Sequence, residues 1–147
     1  MSVNFNDALA LIRRTIQTST DTHAKLEGKT LNEIIGGRVV SAALLDADAA
    51  TFPRPSIIVD MFGGSAEYSD ALEVVTVYIY AYDDTNQGRA TDLYEAAHKI
   101  LQGVRLWDST GNVSSAGLAF ESSRPISGHN TTMKSWFARG SWTITLA

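Results

Sequence analysis

The chain has 147 residues, 44% of them hydrophobic and 19% charged, the proportions of a globular domain and enough length to bury a core without covalent staples. Its 12 Lys and Arg against 16 Asp and Glu give a net charge of −4, and Arg13-Arg14 is the only adjacent basic pair, which argues against a general binder of phosphate backbones. The absence of cysteine excludes disulfides, thiolate metal sites and a cysteine nucleophile.

Asn4, Asn6 and Asp7 precede the first apolar residues, with no basic region and apolar stretch of the secretory kind, so no signal peptide is expected. No apolar run approaches the length of a membrane span. A single domain over residues 1–147, soluble when made, is the expectation.

Asn4 or Asn6 can cap a first helix, in which Ala8, Leu9, Ile12 and Ile16 recur with helical spacing to about Thr18. The polar stretch Thr18–Thr30 reads as loop or frayed helix. Leu31–Ile35 makes one short helical turn ended by Gly36-Gly37, the residues best able to take positive φ. Arg38–Leu45 reads as the first strand and Asp46–Arg54 as a turn region. Ser56–Phe62 is the second strand, with Ile57, Val59 and Met61 on one face and Ile58, Asp60 and Phe62 on the other, broken by Gly63-Gly64-Ser65.

The strand Leu72–Tyr82 is apolar or aromatic on both faces, which predicts a central strand covered by a helix on one side and by a partner on the other. After a turn at Asp83–Asn86 comes the strongest periodic signal of the chain. Ala90, Leu93, Tyr94, Ala97, Ile100, Leu101 and Val104 fall on one stripe of a 3.6-residue helix, with Glu95 and Lys99 four apart on its polar side. Trp107–Gly117 reads as a surface loop. Leu118–Pro125 and Met133–Leu146 read as strands joined through Ser127–Asn130. The last strand places Trp136, Ala138, Trp142, Ile144 and Leu146 on one face and Phe137, Arg139, Ser141, Thr143 and Thr145 on the other, the alternation of a half-buried antiparallel strand. The fold class is therefore α+β, with a mostly antiparallel or mixed sheet of about four to five strands packed by an N-terminal helix and one long central helix.

Little of this looks catalytic. Asp46-Ala-Asp48 has the spacing of the aspartate pair in phosphatases that form an aspartyl phosphate, but no Gly-Thr follows it and a turn is the simpler reading. His23, His98 and His129 are too scattered for a metal site, and His98 beside the stripe reads as a boundary helix residue. Ser114, Ser115, Ser122 and Ser123 lie outside any nucleophile elbow, and the Gly-Gly pairs lack phosphate-cradling patterns. No cofactor, metal or catalytic residue is expected. Tyr78, Tyr80 and Tyr82 alternate on one strand face, where they could stack bases, but without a basic surround they read as core or subunit-interface aromatics.

The order of elements is itself informative: a helix with Leu9 and Ile12, then Ile35-Gly36-Gly37-Arg38-Val39, then Pro53-Arg54-Pro55-Ser56-Ile57-Ile58-Val59. The long strand, the helical stretch from Arg89 to Leu101 and a last strand with Trp136 follow. In this order the chain resembles the tail-terminator (tail-to-head joining, tail-completion) proteins of long-tailed bacteriophages, over nearly its whole length.

The resemblance implies a non-enzymatic structural protein made in the host cytoplasm and located in the virion, at the head-proximal end of the tail. It implies a homo-hexameric ring that caps the tail tube, stops its polymerisation and joins a head–tail connector protein. The partners implied are the tail-tube protein, the connector and further copies of the chain; DNA slides through without specific binding, and no membrane is involved. Loops Phe62–Asp70 and Leu106–Gly117 are candidate contacts. Phe62, Tyr68, Trp107, Arg124, Trp136 and Phe137 are candidate interface residues, beside a core helix of Leu93, Tyr94, Ala97, Ile100, Leu101 and Val104. A head-closure or tail-tube subunit is the nearest alternative, and a small enzyme or a nucleic-acid-binding sheet the more distant ones.

Overall fold

In the computed structural model the described residues are 5–22, 26, 28–42, 52–68, 73–102, 105–106, 117–122 and 125–146. Helix α1 spans Phe5–Thr18 and buries Leu9, Leu11, Ile12 and Ile16, while Ala10, Arg14 and Thr18 face out. Asn6 thus lies inside the helix and is not its cap; Asn4 is outside the described residues. In the polar stretch that follows, Leu26 is fully buried and Thr22 bridges Thr30, so this segment closes over the core.

Helix α2 (Leu31–Ile35) starts where the Thr30 hydroxyl accepts a hydrogen bond from the Glu33 amide at 3.2 Å. It ends in Gly36 and Gly37, with φ of 59° and 73°, and the Gly37 amide donates to the Asn32 carbonyl at 3.2 Å. A side chain at either glycine would be strained.

Strand β1 (Val39–Ser41) runs parallel to β2 (Ser56–Tyr68), which pairs antiparallel with β3 (Glu73–Asp83). Gly63-Gly64-Ser65 does not break β2. The register shifts between Met61 and Ala66, where β2 carries more residues than the facing part of β3, and pairing then resumes at Ala66 opposite Val75. Glycines are at home in such a bulge, which bends a strand without ending it.

Helix α3 (Gln87–Leu101) is capped by Asn86, whose side-chain oxygen accepts from the Arg89 amide at 2.8 Å. It buries Ala90, Leu93, Tyr94, Ala96, Ala97, Ile100 and Leu101, and the backbone leaves helical geometry at Gln102. Val104 and Gly103 lie outside the described residues.

Two short strands, β4 (Arg105–Leu106) and β6 (Ile126–Asn130), accompany β5 (Gly117–Glu121) and β7 (Ser135–Leu146). The sheet has seven strands in the order β1-β2-β3-β7-β5-β4, with β6 beside the first half of β7, and only the β1–β2 pair is parallel. The strand count exceeds the four to five read from the sequence because β4 and β6 carry no β-propensity signal of their own. Ile-Ser-Gly-His-Asn is drawn into the sheet by pairing with β7.

Consequently Ser127–Asn130 is strand, and the turn lies at Thr131–Lys134, where the Asn130 side chain accepts from the Met133 amide at 3.0 Å and Lys134 takes a positive φ of 54°. Phe62–Tyr68, read as part of a contact loop, is likewise strand.

All three helices cover one face of the sheet. The main core joins Leu9, Leu11, Ile12 and Ile16 of α1, Leu31 and Ile35 of α2, and Leu93, Tyr94, Ala97 and Leu101 of α3 to Ile57, Val59, Val77, Ile79, Ala81, Ala138, Trp142 and Ile144. On the opposite face a smaller cluster gathers Ile58, Tyr82 and Met133, with Val40, Ala42, Phe52, Tyr80 and Phe137 packed against it.

Candidate interaction face

Of the residues singled out for chemistry, Ser122, His98 and His129 fall among the described residues. Asp46, Asp48, His23, Ser114, Ser115 and Ser123 lie outside the described residues, among which no group of three or more His, Cys, Asp and Glu could hold a metal. The Ser122 amide and hydroxyl both donate to the Ser141 carbonyl, at 2.7 and 3.1 Å, which ties β5 to β7. His129 packs edge-on against Trp136, ring centroids 4.8 Å apart. His98 sits half-exposed at the rim of α3, its Nε2 3.9 Å from a Glu121 carboxylate oxygen and its ring edge-on to Trp142.

That carboxylate belongs to a polar joint between α3 and the sheet that the sequence analysis did not identify. The Tyr94 hydroxyl donates to Glu121 and accepts from the Trp142 indole N–H at 3.0 Å, and the Glu121 amide donates to the Gln102 side chain at 2.8 Å. Burial, then the hydrogen bond to Glu121, push the Tyr94 phenol well above its ordinary pKa. A phenol held so firmly as a donor is a structural tie, with no proton to give up near neutral pH. The one sequence signal for it is Gly140 in a strand otherwise rich in side chains, beneath an aromatic on the helical stripe.

A second tie connects the two short motifs of the resemblance. Arg38, after Gly36-Gly37, donates through Nε and Nη2 to the Pro55 carbonyl at 3.0 and 2.9 Å, and the Ile57 amide donates to the Arg38 carbonyl at 2.9 Å. Arg13 of α1 completes the corner by donating to the Val39 carbonyl at 2.9 Å. Gly-Gly-Arg and Pro-Arg-Pro thus form one corner that sets β1 beside β2.

Aromatic and charged side chains converge on the sheet face opposite the described helices. Period-2 alternation on β3 sends Val77, Ile79 and Ala81 into the main core and Tyr78, Tyr80 and Tyr82 to the other side. Tyr80 and Tyr82 stack nearly parallel at 5.6 Å, and Phe137 lies tilted against both, at 5.9 and 6.0 Å. The Arg139 guanidinium lies over Tyr78 at 4.4 Å from the ring centroid, and its Nη1 is 3.4 Å from the Tyr80 hydroxyl. Burial raises the pKa of the Tyr82 phenol, while the side chain of Asn130, which donates to its hydroxyl, favours the charged form.

Of the candidate interface residues, Phe137 joins this face. Trp136, its neighbour on β7, faces the other way and packs with His129. Phe62 and Tyr68 are placed in β2 by their backbone, and Trp107 and Arg124 lie outside the described residues. Among the described residues, no helix is long and apolar enough to cross a membrane.

The same fold occurs in a virion. A chain from the structure titled "Virion of native gene transfer agent (GTA) particle" matches this one with a TM-score of 0.63, covering 94% of this chain and 92% of that chain at 12% sequence identity. The likeness spans the whole architecture and is one of fold. No protein-family model matches the chain, and no curated protein sequence does.

Proposed function

We propose that this chain is a structural virion protein of the tail-terminator kind, with no catalytic activity. Copies of it close into a hexameric ring on the end of a tail tube, stop the tube growing and offer the outer ring face to a head–tail connector. The observation that carries this reading is the fold shared end to end with a virion chain, 94% of one against 92% of the other. The Gly-Gly-Arg and Pro-Arg-Pro corner and the order of elements, which resemble tail terminators, support it from the sequence side.

Physical features agree with the reading. The polar groups best placed for chemistry, Tyr94, Glu121 and Trp142, are occupied with one another, as expected of a scaffold. An acidic chain lining or flanking a channel lets DNA slide without adhering. A ring built from identical subunits by head-to-tail contacts needs two different patches per subunit, and the sheet, with the described helices all on one face, has two unlike faces.

The test is a tube-capping assay. Purified chain added to polymerising tail-tube protein should arrest tube growth, and negative-stain images should show hexameric rings at tube ends. A protein that stays monomeric and leaves tube length unchanged would overturn the reading, and one that extends the tubes would be a tube subunit.

A further inference from the structure

The outer strands of the sheet are finished in different ways. On one side β1 is outermost, and its outward backbone is used within the chain. The Ile57 amide donates to the Arg38 carbonyl, so Val39, the next residue, turns its amide and carbonyl away from β2. There the Val39 amide donates to the Gly37 carbonyl at 2.9 Å, and the Val39 carbonyl accepts from Arg13 Nε at 2.9 Å. On the other side β4 is outermost beside β5; it is two residues long and has α1 packed beside it. A covered edge and a very short one are usual ways to keep strand edges from pairing with other chains.

Two stretches are left open. Strand β6 pairs with β7 in unbroken register, contains neither Pro nor Lys, and among the described residues has no strand on its outer side. The Ser122 amide donates to the Ser141 carbonyl, so alternation along β7 also turns the backbone of Ser135, Phe137 and Arg139 towards β6. Ser127 and His129, opposite Ala138 and Trp136, therefore hold their N–H and C=O away from β7, and both residues are exposed. The second open stretch is in β2. Its pairing with β1 ends at Val59 while β2 runs on to Tyr68, and among the described residues no strand lies beside Asp60–Tyr68 on that side.

These two edges fit one another. Strands β2 and β7 run one way and β3 and β6 the other, since each neighbouring pair is antiparallel. A second copy related by rotation about a ring axis keeps those directions, so β6 of one copy meets β2 of the next antiparallel and the alternation continues around the ring. Pairing of β6 with itself would instead need a two-fold axis, which closes a dimer and leaves β2 open. Ile126 lies level with Arg139, Tyr80 and Ile58, and the open part of β2 begins two residues past Ile58, so the next copy is displaced along the strand by at least about 7 Å. Such a stagger is what closing a sheet on itself requires, and the bulge between Met61 and Ala66 bends β2 where the contact falls.

We infer that β6 of one copy adds as an antiparallel strand to the open part of β2, Asp60–Tyr68, in the next copy, through the outward backbone groups of Ser127 and His129. The sheets of successive copies then join edge to edge into one wall, held by main-chain hydrogen bonds. The inference rests on the ring reading and names the strands that make the ring contact.

The chain has no cysteine, so introduced thiols report on this contact alone. The full chain is prepared as Ser127→Cys, as Ala66→Cys and as the double variant, treated with a short bismaleimide in solution and on capped tube ends, and run on a denaturing gel. The expected result is a ladder of linked copies up to six in the double variant and no linked species in either single variant. Ser127→Pro, which removes an outward N–H, should need at least about tenfold more protein to form rings, with the circular dichroism of the wild type. If Ser127→Pro fails to fold, the cysteine variants decide alone. Dimers from Ser127→Cys alone would overturn the inference in favour of a two-fold β6 pair. Rings that form without linkage in the double variant, or that folded Ser127→Pro forms as readily as the wild type, would overturn it and leave the ring reading standing. A wild type that neither associates nor caps tubes would overturn the ring reading itself.

Discussion

Gly140 of β7 faces the Tyr94 hydroxyl so closely that a Cβ built on the glycine would lie 1.7 Å from the phenol oxygen. The helix sits on the sheet through that gap. Gly140→Ala is expected to cost at least about 1–3 kcal/mol, the price of overpacking a core that cannot yield. In a urea titration the double variant Gly140→Ala/Tyr94→Phe should lose less than the sum of the single losses, since removing the hydroxyl removes the nearest clash.

Tyr94 also predicts a pH dependence. Its folded pKa is raised, so the folded state holds the phenolic proton where the unfolded chain gives it up. The stability from this group is complete below the unfolded value of about 10 and is lost as pH rises above it towards the folded value. Absorbance titration should show one tyrosine that does not ionise while the fold persists. Between pH 9 and 11 the urea midpoint of the wild type should fall more than that of Tyr94→Phe; equal falls would exclude the mechanism.

On α3, Leu93 is fully buried and Ile100 is 8% exposed. Leu93→Ala and Ile100→Ala are each expected to destabilise by about 2–5 kcal/mol, with Leu93 towards the upper end because its site has less freedom to collapse. Chemical denaturation measures this, and a change below about half a kcal/mol at both positions would remove the stripe from the core.

At the β1–β2 corner, Arg38→Ala leaves the Pro55 carbonyl without either of its two guanidinium donors. A loss of about 1–3 kcal/mol is expected. Arg38→Lys should recover only part of it, because an ammonium lacks the planar fork that reaches one oxygen with two N–H groups. Thermal melts of the three proteins check the order.

Elements whose residues share one period were legible in the chain. The 3.6-residue spacing from Ala90 to Leu101, and the alternation along β3 and β7, follow from burying one helical stripe or one strand face, and those patterns survive without knowledge of neighbours. The glycine turn after Ile35 was legible for the same local reason, since positive φ selects glycine. Hidden from sequence were β6 and β4, the continuity of β2 through Gly63-Gly64, and the Tyr94–Glu121–Trp142 tie. Each depends on a partner strand or side chain distant in the chain: β7 for β6, β5 for β4, β3 for the bulge, and β5 with β7 for Tyr94.

The candidate face divides in the same way. Sequence by itself determined that Tyr78, Tyr80 and Tyr82 share one side of a strand and that Phe137 and Arg139 share one side of another, because strand periodicity is local. Only the tertiary structure decided that these two sides coincide, that the helices leave them uncovered and that Arg139 lies on Tyr78. Those relations follow from the register of β3 against β7 and from which face the main core buries, and both are set by the packing of the whole chain.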